Sequence, residues 1–427
     1  MKLKRLTFGL IFLALGAGAA AQQTLRLSLD EAQQYAVEHN ATMVNASLDV
    51  KKAEAERWKT LSSMLPSAKA AFDYQNMMGY EMHMGGFSIP LNPSGNFALT
   101  ASIALNGAMV VGTMLQDLAL EMSNISRQQT EQQTRSQVKN VYVSILVMDQ
   151  TVGLLDSSLA NLQRLAATSQ ASVDVGAAEQ VDADKLQVQV ATLQSSINST
   201  RRQLQVLRNS MLLQLGADVD SQVELTTPLS DILNVTDAAT LMSSDFDMQR
   251  NYSYQLLVKN EELAKRQVNM AWMDFMPTIS AYYQYSAKTY FGEEEGMNMT
   301  PPNMIGASIS MPLFTIGTRL SGIKSARIAL QETQNSKKQA EDGLKVQYNQ
   351  LRYDLATALE TYDIQRRNLD VTQRVFANVS EKYNYGRASS LEVTQASTDI
   401  ITAQSNYIQA VMNVVSAQIA LENLLNK

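Results

Sequence analysis

The chain has 427 residues, a formal charge of −6 and only 18% charged residues. A balance this mild, with no basic patch, excludes nucleic acid as a partner. Cysteine is absent, which excludes disulfides, thiolate metal sites and lipid attachment through an N-terminal cysteine.

The first element is a leader. Lys2, Lys4 and Arg5 precede an apolar run from Leu6 to Leu15, and Ala19 and Ala21 form a small-residue cleavage pair. This is the layout of a secretory signal peptide over 1–21, with the mature chain expected from Gln22. No later stretch reads as the roughly 18 consecutive apolar residues of a membrane helix. Ser28-Leu29-Asp30-Glu31 has the capping-box pattern and opens a helix expected to run to about Met64. Ala68, Ala70, Phe72 and Tyr74 then alternate with polar residues, as do Phe97, Leu99, Ala101, Ile103 and Leu105. These predict two strands joined by a loop over 79–95.

Between Pro93 and Pro228, and again after Pro312, the chain has no proline. Proline costs about 3 kcal/mol inside a helix, so these gaps can hold long helices. Apolar residues step by three and four through Val138, Val141, Ile145, Met148, Val152, Leu155, Leu159 and Leu162. Leu186 to Met211, Leu344 to Val379 and Ala396 to Leu421 do the same. Heptads this long imply helices supercoiled against neighbours. A helix of roughly 60 residues rises about 90 Å. Between the two proline-free regions, a helix is expected from about Asp247 to Phe275, then strands over 277–291 and 304–313 with a connecting loop.

The parts occur twice. Adding about 210 carries Val138, Val141 and Ile145 onto Tyr348, Leu351 and Leu355, and carries Gly176 onto Gly386. Pro66 maps onto Pro277 in the same way. The expected organisation is a first repeat over 22–216, a linking segment over 217–245 and a second repeat over 246–427. Four alternating strands cannot close a membrane barrel, because open edges leave backbone groups unpaired in lipid. If the strands cross a membrane, several chains must pool them, and the long helices extend the shared pore as a bundle.

At this point the sequence resembles the TolC-like outer-membrane efflux and secretion channels along essentially all of its mature length. The most specific stretch is Glu381-Lys382-Tyr383-Asn384-Tyr385-Gly386-Arg387-Ala388-Ser389-Ser390-Leu391-Glu392-Val393-Thr394-Gln395-Ala396. It is similar to the family's Tyr-x-x-Gly turn followed by a helix start. Ser28 to Ala32 with His39-Asn40, and the Leu65-Pro66 and Met276-Pro277 steps, resemble other family landmarks. Glu392 stands where aspartate is common, and Thr394 where leucine is. The resemblance implies a mainly α-helical chain giving four strands to a trimeric 12-stranded barrel in outer-membrane lipid. It also implies a periplasmic tunnel of coiled helices. The implied function is a passive exit duct, docked through a periplasmic adaptor protein to an inner-membrane transporter, in a tripartite efflux pump or type I secretion system. An alternative within the class is a copper or silver efflux channel. A secreted coiled-coil structural or adhesion protein is the alternative from another class.

No nucleophile elbow, phosphate loop or paired-histidine set is present, so the reading is not an enzyme and needs no cofactor. Met82, His83 and Met84, close to Met77 and Met78, could suit a soft metal ion. Met297, Met299 and Met304 fall around the matching loop of the second half. With 22 methionines in the chain, composition alone brings some together, and the expectation is that no metal is bound. Glu293, Glu294 and Glu295 read as a solvated loop. Gly176 and Gly386 are expected to turn the two helical hairpins. Six residues after each stands a carboxylate, Asp182 and Glu392. In a symmetric trimer these would crowd around one axis at the tunnel entrance, offset by Arg387, Lys185 or bound cations. The resemblance places Glu392 at a position that forms an acidic ring in relatives.

Overall fold

The computed structural model describes residues 24–232, 235–291, 301–311, 313 and 316–427. The leader and its cleavage point, Glu293 to Glu295, Met297, Met299 and Pro312 lie outside the described residues. The chain forms two compact units, each assembled from separated stretches.

The first unit gathers residues up to Asn40, Thr134–Asp237 and Ala358–Ser416. Strand β1 (Thr24–Leu27) leads into helix α1 (Leu29–His39). The Ser28 hydroxyl accepts from the Glu31 amide, and the Glu31 carboxylate accepts from the Ser28 amide at 2.8 Å. The Ser28 amide and the Ser28 hydroxyl both donate to the Glu31 carboxylate and hold it below its ordinary value, the amide most strongly. The helix expected from Ser28 to Met64 breaks at Asn40, whose ψ of 131° is extended. Its side-chain amide donates to the Gln214 carbonyl at 2.7 Å. The broken backbone thereby gains a tertiary partner that a continuous helical pattern could not reveal.

Helix α2 (Ala41–Ser62), strands β2 (Ser67–Gln75), β3 (Glu81–Met84), β4 (Phe87–Pro90) and β5 (Ser94–Leu105) follow. Long helix α3 (Gly107–Asp174) then returns to the first unit and is reversed into α4 (Gln180–Leu215). Strand β6 (Gln222–Leu225) pairs in parallel with β1. Tyr142, fully buried on α3, locks that pair in place. Its hydroxyl donates to the Leu27 carbonyl and accepts from the Thr227 amide. Short helices α5 (Leu229–Ile232) and α6 (Val235–Met242) and a 3₁₀ turn (Met248–Arg250) lead to α7 (Tyr252–Met273). Strands β7 (Thr278–Tyr290) and β8 (Asn303–Ser310) and helices α8 (Ile316–Asn384) and α9 (Ser390–Leu425) complete the chain. In the first unit, Leu155, Leu159, Leu162 and Leu165 of α3 pack with Leu186, Leu193 and Ile197 of α4. Phe376 of α8 and Val393, Ala396 and Ile400 of α9 share that core. All but Leu165 and Val393 are positions of the three-and-four steps read in the sequence, buried because a left-handed seam keeps them facing a partner helix.

The second unit gathers Ala41–Gln133, Ala238–Thr357 and Ala417–Lys427. Its sheet has the order β2-β5-β7-β8, antiparallel throughout, with β5 and β7 as the central pair. The loop expected over 79–95 contains a small β3–β4 hairpin instead of continuous coil. Gly85 and Gly86 turn it with φ of 53° and 102°, which the sequence pattern left unread because each strand has only four residues. Helices α7 and α8 are joined by charge. Glu261 accepts from Lys265 at 2.6 Å and Lys337 at 2.9 Å. Those hydrogen bonds, Lys265's foremost, hold the Glu261 carboxyl down at about 2.

Helices α3 and α9 each contain an 18-residue window with a mean hydropathy of 1.2, enough by length and composition to cross a membrane. This corrects the expectation that no later stretch would qualify. In α9 the apolarity is that of a packed helix: Ala410, Val411, Val414, Val415, Ile419 and Leu421 are all buried against protein.

Candidate functional site: the hairpin turns and the two-faced sheet

The two long hairpins of the first unit turn on the same backbone bonds. The Gly176 amide donates to the Val173 carbonyl and the Ala177 amide to Ser172. The Gly386 amide donates to Tyr383 and the Arg387 amide to Lys382. Both glycines are left-handed, with φ of 76° and 67°, a conformation other L-residues reach only at a cost. This double bond at the end of a helix satisfies carbonyls that would otherwise have no partner.

The carboxylates beyond the turns have different surroundings. Glu392 closes a capping box at the start of α9. Its Oε2 accepts from the Ser389 amide at 2.7 Å and the Ser389 hydroxyl at 2.9 Å, and the Glu392 amide donates back to Ser389 Oγ. The carboxyl is held below its ordinary value, chiefly by the Ser389 backbone bond, then by the hydroxyl and Lys382. Asp182 caps nothing. It stands 3.6 Å from Lys185 and accepts the hydroxyl hydrogen bond of Ser390. Ser390 is buried on the first turn of α9, so this bond joins the starts of α4 and α9 within one chain. Arg387 is exposed and makes no ion pair among the described residues. The structure therefore brings together Asp182, Lys185 and Ser390, and separately Glu392 and Ser389. The two serines were missed in sequence, although Ser389-x-x-Glu392 repeats the capping pattern read at Ser28.

The sheet of the second unit has one polar and one apolar face, and the register shows it row by row. One face carries Lys69, Thr100, Gln284 and Met304 in one row and Asp73, Asn96 and Lys288 in another. Below them Ser102, Tyr282 and Gly306 align, and Ser280 meets Ser308 at 2.8 Å. The opposite face carries Ala68, Ala101, Tyr283 and Ile305, then Phe72, Phe97 and Ala287, then Leu105, Ile279 and Ile309. Ile305 is 84% and Ile309 74% exposed. Water does not sustain a contiguous apolar face of that kind. Strands β2 and β8 also leave their outer edges unpaired. Aromatic rings stand near both ends of the face: Phe72, Tyr74 and Phe291 about Gly95, and Trp272 with Phe275 below β7.

Residues 249–427 match the outer membrane efflux protein family. Over those residues the chain is similar to the outer membrane efflux proteins. Outer membrane efflux protein BepC of Brucella suis biovar 1 is 21% identical over 300 residues, 69% of this chain and 63% of that relative's length. A solved structure of CusC superposes with a TM-score of 0.77 at 16% identity, covering 93% of this chain and 91% of that one. The open state of the MtrE channel of Neisseria gonorrhoeae gives 0.75 at 15% identity, covering 93% and 88%. The likeness in sequence is confined to part of the chain, whereas the likeness in fold covers nearly all of it.

The methionine cluster falls in the β3–β4 hairpin of the second unit. Successive strand residues face opposite ways, so Met82 and His83 of β3 point apart. His83 instead meets the Ser88 hydroxyl at 3.0 Å through Nδ1. Met84 is described by its backbone alone.

Proposed function

We propose that the chain is one subunit of a trimeric exit duct that carries pump-selected compounds across the outer membrane. The observation that carries this reading is the two-faced sheet with both edges open. Lipid would cover the Ile305 and Phe97 face, and the Lys69 and Asp73 face would line water, as in a membrane barrel. Backbone groups cannot remain unpaired in lipid. Edge β2 must therefore pair with β8 of another copy, and three copies of a four-stranded sheet give the twelve strands that the family's trimers imply. We assign the linking role between the repeats to 217–245, and the tunnel entrance to the turns at Gly176 and Gly386 with Asp182, Lys185, Arg387 and Glu392. Docking to a periplasmic adaptor and an inner-membrane transporter follows from the same family reading. Drug efflux is the preferred class of cargo over copper or silver export, because the opposed Met82 and His83 side chains offer no convergent soft-ion site.

Cysteine is absent from the chain, so introduced thiols report cleanly. Ala70→Cys combined with single cysteines along 304–308 should give an oxidised ladder ending at three copies in detergent. The same protein should conduct ions in planar bilayers. A water-soluble rod with neither ladder nor conductance would make it a coiled-coil structural protein instead.

A further inference from the structure

At the junction of helices and strands in the second unit, two arginines lie over aromatic rings. The Arg319 guanidinium is 5.3 Å from the centre of the Phe275 ring, and that of Arg327 is 5.8 Å from the Trp272 ring. Trp272 lies in the last turn of α7 and Phe275 just beyond it, before β7 starts, while Arg319 lies in the first turn of α8 and Arg327 about two turns further on. From 316 to 331, α8 carries Arg319, Lys324 and Arg327 and no acidic residue. A cation in the first turn of a helix opposes its dipole, so helix stability does not explain Arg319. Neither Lys324 nor Arg327 makes an ion pair among the described residues, and Asp274, exposed in the turn between the two rings, makes none either.

Exposed apolar residues flank these charges along the chain. Ile279 and Ile309 lie toward the end of the apolar sheet face, Trp272 and Met276 stand just before β7, and Leu320 follows Arg319, all of them exposed. Tryptophan and arginine at the rim of an apolar band are the residues of a membrane interface, where a ring rests among headgroups and a guanidinium meets phosphate. A guanidinium held over a ring loses little freedom when it binds. Its fork of donors matches phosphate oxygens better than an ammonium does.

We propose that Arg319 and Arg327, positioned by Phe275 and Trp272, hold the phosphate of an anionic phospholipid headgroup at the periplasmic margin of the barrel. The occupant is a bilayer lipid rather than free phosphate, because the charges adjoin the apolar face that acyl chains would cover. The inference rests on the channel reading for the placement of that margin.

The test is native mass spectrometry of the assembled protein taken from nanodiscs of equal phosphatidylglycerol and phosphatidylcholine. The wild type should retain phosphatidylglycerol several-fold over phosphatidylcholine. Arg319→Gln with Arg327→Gln should abolish that preference, and Trp272→Leu, which keeps both charges, should reduce it. Conductance and trimer mass, measured on the same samples, separate the two levels of the argument. Loss of both in the wild type removes the channel itself, whereas an unchanged lipid preference in a conducting double variant removes only the headgroup site. Competition by inorganic phosphate, at levels that leave bulk lipid bound, would assign the arginines to a free anion and overturn the proposal. If the double variant fails to assemble, the wild type decides: equal retention of the two lipids refutes the site.

Discussion

The turns at Gly176 and Gly386 share their backbone geometry and differ in what their side chains do. Both reverse a long helix through a left-handed glycine and the same pair of amide-to-carbonyl bonds. After Gly386, α9 starts with a reciprocal Ser389–Glu392 cap. After Gly176, the residue in the equivalent place is Glu179, whose side chain caps nothing. Asp182 is thus left available, and it reaches the Ser390 hydroxyl of the other hairpin. One hairpin is self-contained at its turn, and the other reaches across to it. Two carboxylates related by 210 positions can therefore do unlike work.

The sharpest break of this comparison is at Asp182 and Glu392 together. In the trimer we propose, Asp182→Asn with Glu392→Gln should lower cation selectivity and cation block several-fold in single-channel recordings while trimers still form. Asp182→Asn alone should do more to the closed-to-open balance than Glu392→Gln, because only Asp182 bridges two hairpins. Unchanged selectivity in an assembled double variant would remove both residues from the conduction mechanism.

Effects on the turns themselves should be smaller and symmetric. Gly176→Ala and Gly386→Ala each force an L-residue into the left-handed region, at about 1–2 kcal/mol. No atom lies within 4 Å of either added methyl, so the conformational cost stands alone and the two values should agree. Limited proteolysis at the turns would report it. Gly216 is the contrast, since a methyl there would meet the His39 carbonyl oxygen at 2.3 Å. Its substitution should cost markedly more.

The caps come next. Ser389→Ala should destabilise the start of α9 by about 1 kcal/mol, the usual worth of such a cap. Glu179→Ser should move α4 the other way by supplying the missing hydroxyl. Hydrogen exchange of the amides at 180–184 and 390–394 would show the two changes with opposite sign. A loss of protection at both ends would mean that the asymmetry lies elsewhere.

Much of this molecule was legible because its helices and strands obey simple periods. The heptad residues Leu162, Leu193 and Leu355 are buried as their spacing predicts, and the alternation at 277–291 yields a strand over Thr278–Tyr290. What escaped the sequence depends on partners far along the chain. Asn40 breaks a helix because Gln214 awaits its amide, and the central β5–β7 pairing joins residues about 190 apart in sequence. Periodicity also says nothing about which of two like carboxylates finds a serine across a hairpin. The Ser389 cap is a different case. Its Ser-x-x-Glu pattern is local and legible in the sequence.

The smallest predicted effect concerns pH, and it isolates the cap from the turn. The Glu392 carboxyl is held below 4.5 in the folded chain, first by the Ser389 amide and then by its hydroxyl. A carboxylate whose folded value is depressed contributes stability that is fully present above its unfolded value. That contribution is lost as pH falls through the lower folded value. Exchange protection at 390–394 should therefore hold at neutral pH and decline below about pH 4.5, the ordinary glutamate value. Glu31, held down by the matching Ser28 bonds, should make α1 behave alike. Glu392→Gln should flatten the profile of α9 without moving that of α1. A step in α9 that survives Glu392→Gln would show that acid acts on this hairpin through another group. In that event the cap would not be what distinguishes the two turns.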